Sequence, residues 1–438
     1  MNNSTKKISL WSAVGIGVGA MIGAGIFALI GQAGSIAGKA VYISFILGGI
    51  VAMISGYSLA KLGTRYPAAG GIVEYVVQSF GVNVFTGGIS IMLYLATILS
   101  LALLAKAFGS YAAALLSLKG SLLYTNIFAL IIMALVGVVQ YFGIKKLVKF
   151  QNVAIIITII ILVAFAIVGL INMEPELMAP ALYPSYDKIL FSLAITSFSY
   201  EGFRIITNTA EDIVKPQKNL MKAIFISIAI TMAIYTALAF AVFGNLQVDK
   251  VIEAKDFALA EAAKPIFGAV GFTVISIAAL FATSSSINAV LYAATNISYQ
   301  MAKEGQLPIF FANPIGNTRE GLLVTVALTA LLIIFLDLLQ IAAVGSVTLL
   351  FIHAVTHLGH LKIIHQTEAS KLLVTAALLA TLAVIVLFLI YSIKDSYTIL
   401  YLFVGLLALS LLIELILRSI THRKVNKCRK VNSGAIFK

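Results

Sequence analysis

The chain has 438 residues, 61% of them hydrophobic and 11% charged, with a mean hydropathy of +1.05. No soluble globular class has that balance. A net charge of +13 raises nucleic acid as a partner, but the positions of the basic residues exclude it, and the lone Cys428 excludes a disulfide framework.

A bilayer core takes about 20 apolar residues per helix. Twelve such segments follow one another, at 10–31, 39–62, 82–117, 121–143, 150–172, 189–209, 220–244, 266–300, 319–336, 338–361, 370–392 and 396–418. The third and eighth are long for a bilayer, which predicts tilt or a helical extension beyond it. The longest polar connections, 173–188 and 245–265, are too short for a soluble domain. Residues 1–438 therefore read as one membrane domain. The opening "MNNSTKK" precedes an apolar run longer than a signal-peptide core, with no small-residue cleavage signature, so that run is the first permanent span. With the N-terminus inside, 21 of the 30 basic residues fall on the inner side and 7 on the outer, with Lys106 and Arg204 inside spans. This is the positive-inside pattern, and it puts both termini in the cytoplasm. The basic tail, 419–438, reads as a stop signal that also touches anionic lipid.

The first span reads "SAVGIGVGAMIGAGIFALIG" (12–31). Gly15, Gly19 and Gly23 lie four apart and form a small-residue packing stripe. Gly25 falls off that stripe, and Gly23-Ala24-Gly25 predicts an unwound stretch. The sixth span, "ILFSLAITSFSYEGFRIITNTAEDIVKPQKNL" (189–220), has a polar centre from Ser197 to Arg204 with Gly202 inside it. Breaks five spans apart predict two inverted five-helix repeats, 10–172 and 189–365, followed by two helices over 370–418. Unwound backbone at membrane depth is tolerated only inside protein or along a cavity. Its freed N–H groups suit a carboxylate, and its freed carbonyls suit an ammonium or a metal cation.

Charges within spans are functional candidates by default. Lys106 lies in the third span; Glu201 and Arg204 lie three apart in the sixth. Either Glu201 titrates and gates transport, or the three compensate one another; the second reading is favoured. "FATSSSINAV" (281–290) puts four hydroxyls, Thr283 to Ser286, into one turn of the eighth span, where serines commonly bond their own backbone. His353, His357 and His360 share one face of the tenth span, as metal ligands do. Against a metal-ion transporter, the first break has no acidic residue and the sixth has no methionine or cysteine. There is no HExxH run, no Gly-Asp dipeptide and no Walker motif. The chain therefore reads as no enzyme, with no cofactor and no resident metal.

"MIGAGIF" (21–27), "RYPAAGGIVEYV" (65–76), "SYEGF" (199–203), "AEDIVKPQKNLMKAI" (210–224) and "ISYQMAKEGQLP" (297–308) together resemble the amino acid–polyamine–organocation (APC) superfamily of transporters, including an archaeal broad-specificity member. The resemblance implies an all-α LeuT-type 5+5 inverted-repeat fold with discontinuous first and sixth helices. Substrate carboxylate would meet the N–H groups of Ala24 and Gly25. Ammonium would meet carbonyls near Ile22, Phe198 and Glu201, with Phe198 as an aromatic lid. Gly23, Ile26, Ser199 and Gly202 complete the implied substrate site. Glu211 and Lys215 would form an inner-gate pair. Proton-coupled relatives carry a lysine on the fifth span, where this chain has Thr158. A sodium site would instead use carbonyls of Gly19 and Ile22 with hydroxyls of Ser284 and Ser285. The expectation is a plasma-membrane secondary transporter of neutral amino acids, coupled to protons or sodium and working by alternating access. A metal-ion transporter of the same fold, an exchanger and a sensor are the alternatives.

Overall fold

A computed structural model describes residues 7–421 apart from 69, 119, 144, 304 and 396. Lys6, Lys119, Cys428 and the tail from 422 lie outside the described residues. The chain forms α1 (Leu10–Ala24), α2 (Ile26–Ala37), α3 (Val41–Arg65), α4 (Ile72–Phe80), α5 (Val84–Leu115), α6 (Leu122–Phe142), α7 (Lys145–Ile171), α8 (Tyr186–Ser199) and α9 (Phe203–Asn208). There follow α10 (Pro216–Phe243), α11 (Val248–Glu253), α12 (Ala258–Glu261), α13 (Lys264–Lys303), α14 (Gly321–Phe335), α15 (Leu338–Lys362), α16 (Ile364–Thr367), α17 (Lys371–Asp395) and α18 (Tyr397–Thr421). A two-residue ladder, β1 (Pro314–Ile315) with β2 (Thr318–Arg319), is the one departure from helix among named elements.

Among the described residues ten helical stretches are long and apolar enough to cross a bilayer, and two shorter apolar helices, Leu10–Gly23 and Gly321–Phe335, bring the total to twelve. The chain is thus an all-α multi-pass membrane protein. The first span is the pair α1 and α2, and the sixth is the pair α8 and α9. Gly268, whose φ of 63° kinks α13 near its start, leaves the rest of the helix to Lys303 unbroken, so the eighth span stays over-long. The third, α5, stays one helix of 32 residues. Its start is set by a capping box in which Asn83 Oδ1 accepts from Thr86 N and Thr86 Oγ1 accepts from Asn83 N, each at 3.0 Å. Asp337 and Gln340 cap α15 the same way. Pro216, at the first position of α10, loses no hydrogen bond there.

Lipid tails are as apolar as leucine, so helix association here depends on close packing and polar contacts. The third span, α5, packs against α6, α13, α14, α15 and α18; α13 also packs against α1 and α7. The first span packs on the seventh as the sixth packs on the second, and the third on the ninth as the fourth on the eighth. The first and sixth spans run antiparallel. Ile8 N donates to Asp212 O (2.7 Å) and Val214 N to Ile8 O (2.9 Å), so the entry to α1 sits beside the exit from α9. We call this the near face. At the far face Gln32 of α2 reaches Asp256, in the connection between α11 and α12.

Candidate functional site

The first break is narrower than the sequence suggests. Only Gly25 interrupts the helix, and its φ of −84° and ψ of −66° stay in the right-handed helical region. Its N–H, expected to serve a substrate carboxylate, donates to Met21 O at 2.7 Å. The glycine is required by its neighbours rather than by its torsions. A Cβ there would lie 2.2 Å from Tyr235 Oη and 2.7 Å from the Ser199 carbonyl. Gly23 is pressed in the same way against Ser286 and the Ala282 carbonyl of α13. The stripe expectation divides: Gly19 faces Ile155 of α7 at 3.2 Å, and Gly15 meets nothing within 4 Å. Ile22 and Ile26 are buried on either side of the break.

The sixth break spans Tyr200 to Gly202, and it tightens instead of unwinding. Tyr200, Glu201, Phe203, Arg204 and Ile205 each donate to the carbonyl three residues back, the pattern of a 3₁₀ turn. The carbonyls of Phe198 and Glu201 are therefore already bonded once. Gly202 lets this turn lie on the first span: a Cβ there would sit 2.5 Å from Met21 N. The two breaks are joined by Tyr235 of α10, whose hydroxyl donates to Met21 O (2.6 Å) and lies 3.3 Å from Ser199 O. Tyr235 was not legible as a site residue, because a lone tyrosine in an apolar span carries no signal of its own.

A cavity of about 40 Å³ opens beside the breaks, lined by Ala20, Thr97, Ser100, Phe198, Glu201, Gly202, Arg204 and Asn208, with Val290 and Ile297 of α13 opposite. A larger, apolar hollow of about 460 Å³ between Ile46, Leu170 and Phe240 lies on the outer flank and holds no charge. On the cavity wall Glu201 Oε2 stands 3.9 Å from Arg204 Nε and 3.6 Å from His353 Nε2 of α15. Neither Glu201 Oε2 nor His353 Nε2 has a hydrogen-bond partner among the described residues.

Other candidate residues have partners of their own. Lys106, 3% exposed, is not part of this cluster: the countercharges acting on it are Asp337 and Asp256, toward the far face. Depth along α5 separates it from Glu201. In the sodium set of Gly19, Ile22, Thr158, Ser284 and Ser285, two hydroxyls already have partners. Thr158 Oγ1 lies 3.5 Å from Ala278 O, and Ser284 Oγ bonds its own helix at Leu280 O (2.6 Å). The hydroxyl that meets the first break is that of Ser286. Finally, the three histidines do not converge on a metal: among the described residues no group of three or more His, Cys, Asp or Glu side chains is placed to hold one. At the near face Glu211 and Lys215 are both exposed. Partial desolvation, then the neighbouring Asp212, raises the Glu211 carboxyl above its usual range.

Asp256 marks the far face. Gln32 Nε2 donates to its Oδ1 at 2.5 Å, and burial, outweighing Lys255 and Gln32, holds the carboxyl above its ordinary value. A carboxyl raised in the folded state stabilises fully below its unfolded value, and that contribution is lost as pH rises through the folded value. Detergent-solubilised protein should therefore lose thermal stability from pH 4 upward more steeply than Asp256→Asn, whose isosteric amide does not titrate. Superimposable pH profiles would contradict this.

The antiparallel crossing of two interrupted spans beside a charged cavity now meets an independent observation. Residues 8–427 match the amino acid permease family. The chain belongs to that family. It is similar to the uncharacterized protein MJ0609 of Methanocaldococcus jannaschii, 35% identical over 435 residues, which cover 99% of this chain and 100% of that protein. The inner membrane transport protein YbaT of Escherichia coli is 33% identical over 95% of this chain and 97% of its own length. The serine/threonine exchanger SteT of Bacillus subtilis is 26% identical over 73% of each. This amino acid permease is a multi-pass membrane transporter, not an enzyme; its substrates are amino acids and its surroundings are lipid.

Proposed function

We propose that this permease carries neutral amino acids together with a proton, by alternating access around the cavity between the first and sixth spans. The observation that carries the reading is the charge balance on the cavity wall. Glu201 and Arg204 offer one negative and one positive group to a zwitterion, and their separation of 3.9 Å leaves both short of a full hydrogen bond to each other. A substrate with a net charge would upset that balance. SteT, by its name, exchanges serine and threonine, which are neutral. A proton is favoured over sodium because Glu201 and His353 face each other unbonded, whereas the Thr158 and Ser284 hydroxyls expected at a cation site are turned to carbonyls of α13.

The matching pairs of packed spans support a 5+5 repeat, 10–172 and 189–365, with the helices over 370–418 outside it. The substrate would lie among Ile22, Gly23, Ala24, Gly25 and Ile26 on one side and Phe198, Ser199, Glu201 and Gly202 on the other. Because the Gly25 N–H and the Phe198 carbonyl are engaged, opening of the tightened breaks accompanies binding. The excess of basic residues at the near face supports a cytoplasmic near face, both termini included, in the plasma membrane.

Uptake of a labelled amino-acid panel into proteoliposomes tests this. Small neutral amino acids should accumulate under an inward proton gradient, and a sodium gradient should add nothing. Accumulation driven by sodium, or preference for cationic or acidic amino acids, would overturn the reading.

A further inference from the structure

The three histidines of the tenth span, freed from a metal role, stand in a line. From the cavity toward the near face the order is His353, His357, His360. His353 and His357 have ring centroids 6.1 Å apart, a step that one water spans. His357 Nε2 lies 3.1 Å from Ser55 Oγ, and its Nδ1 lies 2.9 Å from Ser58 Oγ. The same Ser58 hydroxyl lies 2.8 Å from His360 Nδ1. His360 Nε2 lies 2.8 Å from Thr367 Oγ1, which donates to Ile364 O at 3.0 Å. Ser55, Ser58, His357 and His360 are all buried.

One assignment of protons satisfies every contact. Because Thr367 donates to Ile364 O, it accepts from His360 Nε2–H. His360 Nδ1 then accepts from Ser58, Ser58 accepts from His357 Nδ1–H, and His357 Nε2 accepts from Ser55. Every donor points toward the near face. A continuous chain of neutral imidazoles and hydroxyls, all oriented one way through buried protein, is what proton conduction requires and more than packing needs.

We propose that His357, Ser58, His360 and Thr367 form a proton relay that connects the Glu201–His353 pair at the cavity with the near face. The relay rests on the proton-coupled reading above and supplies its path. A proton leaving His353 through one water binds His357 Nε2 as the Ser55 hydroxyl turns away from it. His357 gives its Nδ1 proton to Ser58, Ser58 gives its hydroxyl proton to His360 Nδ1, and His360 gives its Nε2 proton to Thr367. Thr367 releases its own at the near face, so one proton enters and one leaves. The charged groups around the line are Glu201 and Arg204 of the sixth span at its inner end and Lys61 of α3 at its outer end. Between them His357 sees only the other two histidines among charged or titratable groups described. From α4, Ser79 and Phe80 face Gly359, and from α18 Phe403 faces Phe351.

The experiment compares two fluxes in proteoliposomes. One is proton influx on addition of amino acid, read by a trapped pH dye. The other is exchange of internal for external amino acid, which needs no net proton. Ser58→Ala should cut proton influx about tenfold or more, the scale of a lost proton-transfer group, while exchange stays near the wild-type rate. Ser58→Thr, which keeps the hydroxyl, should restore it. His357→Gln, which keeps a polar side chain but cannot pass a proton from one nitrogen to another, should act like Ser58→Ala. Unchanged proton influx in both variants would overturn the relay. So would exchange falling in step with proton influx, the signature of a structural clamp between α3 and α15. A wild-type protein that exchanges amino acids without moving protons overturns the relay and the proton coupling together. A wild-type protein that exchanges nothing overturns the functional reading itself.

Discussion

Gly25→Ala should lower amino-acid uptake about fivefold to 160-fold, the rate equivalent of the roughly 1–3 kcal/mol that overpacking costs. The added methyl carbon would stand 2.2 Å from Tyr235 Oη, 2.7 Å from Ser199 O and 2.8 Å from Ser199 Cβ. The tyrosine end can give way, but the Ser199 carbonyl is backbone of the opposing span. Tyr235→Phe, which deletes the nearest atom, should therefore recover part of the loss in the double variant and no more. Gly15→Ala is the internal control, since nothing lies within 4 Å of it. Exchanging glycine for alanine in an unobstructed helix favours the helix by about 1 kcal/mol, and uptake should be unaffected. If Gly25→Ala behaves like Gly15→Ala in reconstituted uptake, the close crossing of the two breaks is wrong.

Glu201→Met should destabilise the protein more than Arg204→Met. Removing one partner of a buried pair costs about 3–5 kcal/mol, because the other charge stays buried alone. The two residues are not equivalent in that position. A stranded carboxyl sheds its charge by taking up a proton, but a guanidinium does not. Arg204 lies 9% exposed, without water enough to compensate. The double variant Glu201→Met/Arg204→Met should regain most of the stability while losing transport, since no charge remains for the zwitterion. Thermal unfolding in detergent reads the first effect and substrate binding the second. Equal destabilisation by the two single variants, or additive loss in the double, would contradict the pairing.

Much of the architecture is legible in the sequence. The twelve apolar runs are set by hydrocarbon thickness, and the two weak points by glycine and charge at membrane depth. Both are local properties of the chain. Details that depend on neighbours were not legible. The first break was expected to unwind because Gly-Ala-Gly is permissive, yet its helix hydrogen bonds persist and the glycines serve the approach of Tyr235 and Ser286. Of the group Lys106, Glu201 and Arg204, the last two meet, whereas the charges acting on Lys106 are Asp337 and Asp256, because sequence distance within a span says little about depth relative to other spans. His353 shares a helical face with His357 and His360, as metal ligands do, whereas the group that faces it is Glu201, 3.6 Å away on another helix.

The sequence alone determined that this is a multi-span membrane protein, roughly where each span begins and ends, and which two spans are interrupted. The residues themselves carry that information, through hydropathy summed over a bilayer's width and through backbone preferences. Only the tertiary structure decided which side chains meet. A span that is apolar all round has no preferred face that its hydropathy could reveal. The rotation and depth that bring Tyr235, Ser286, His353 and Glu201 together are set by packing between helices far apart in the chain.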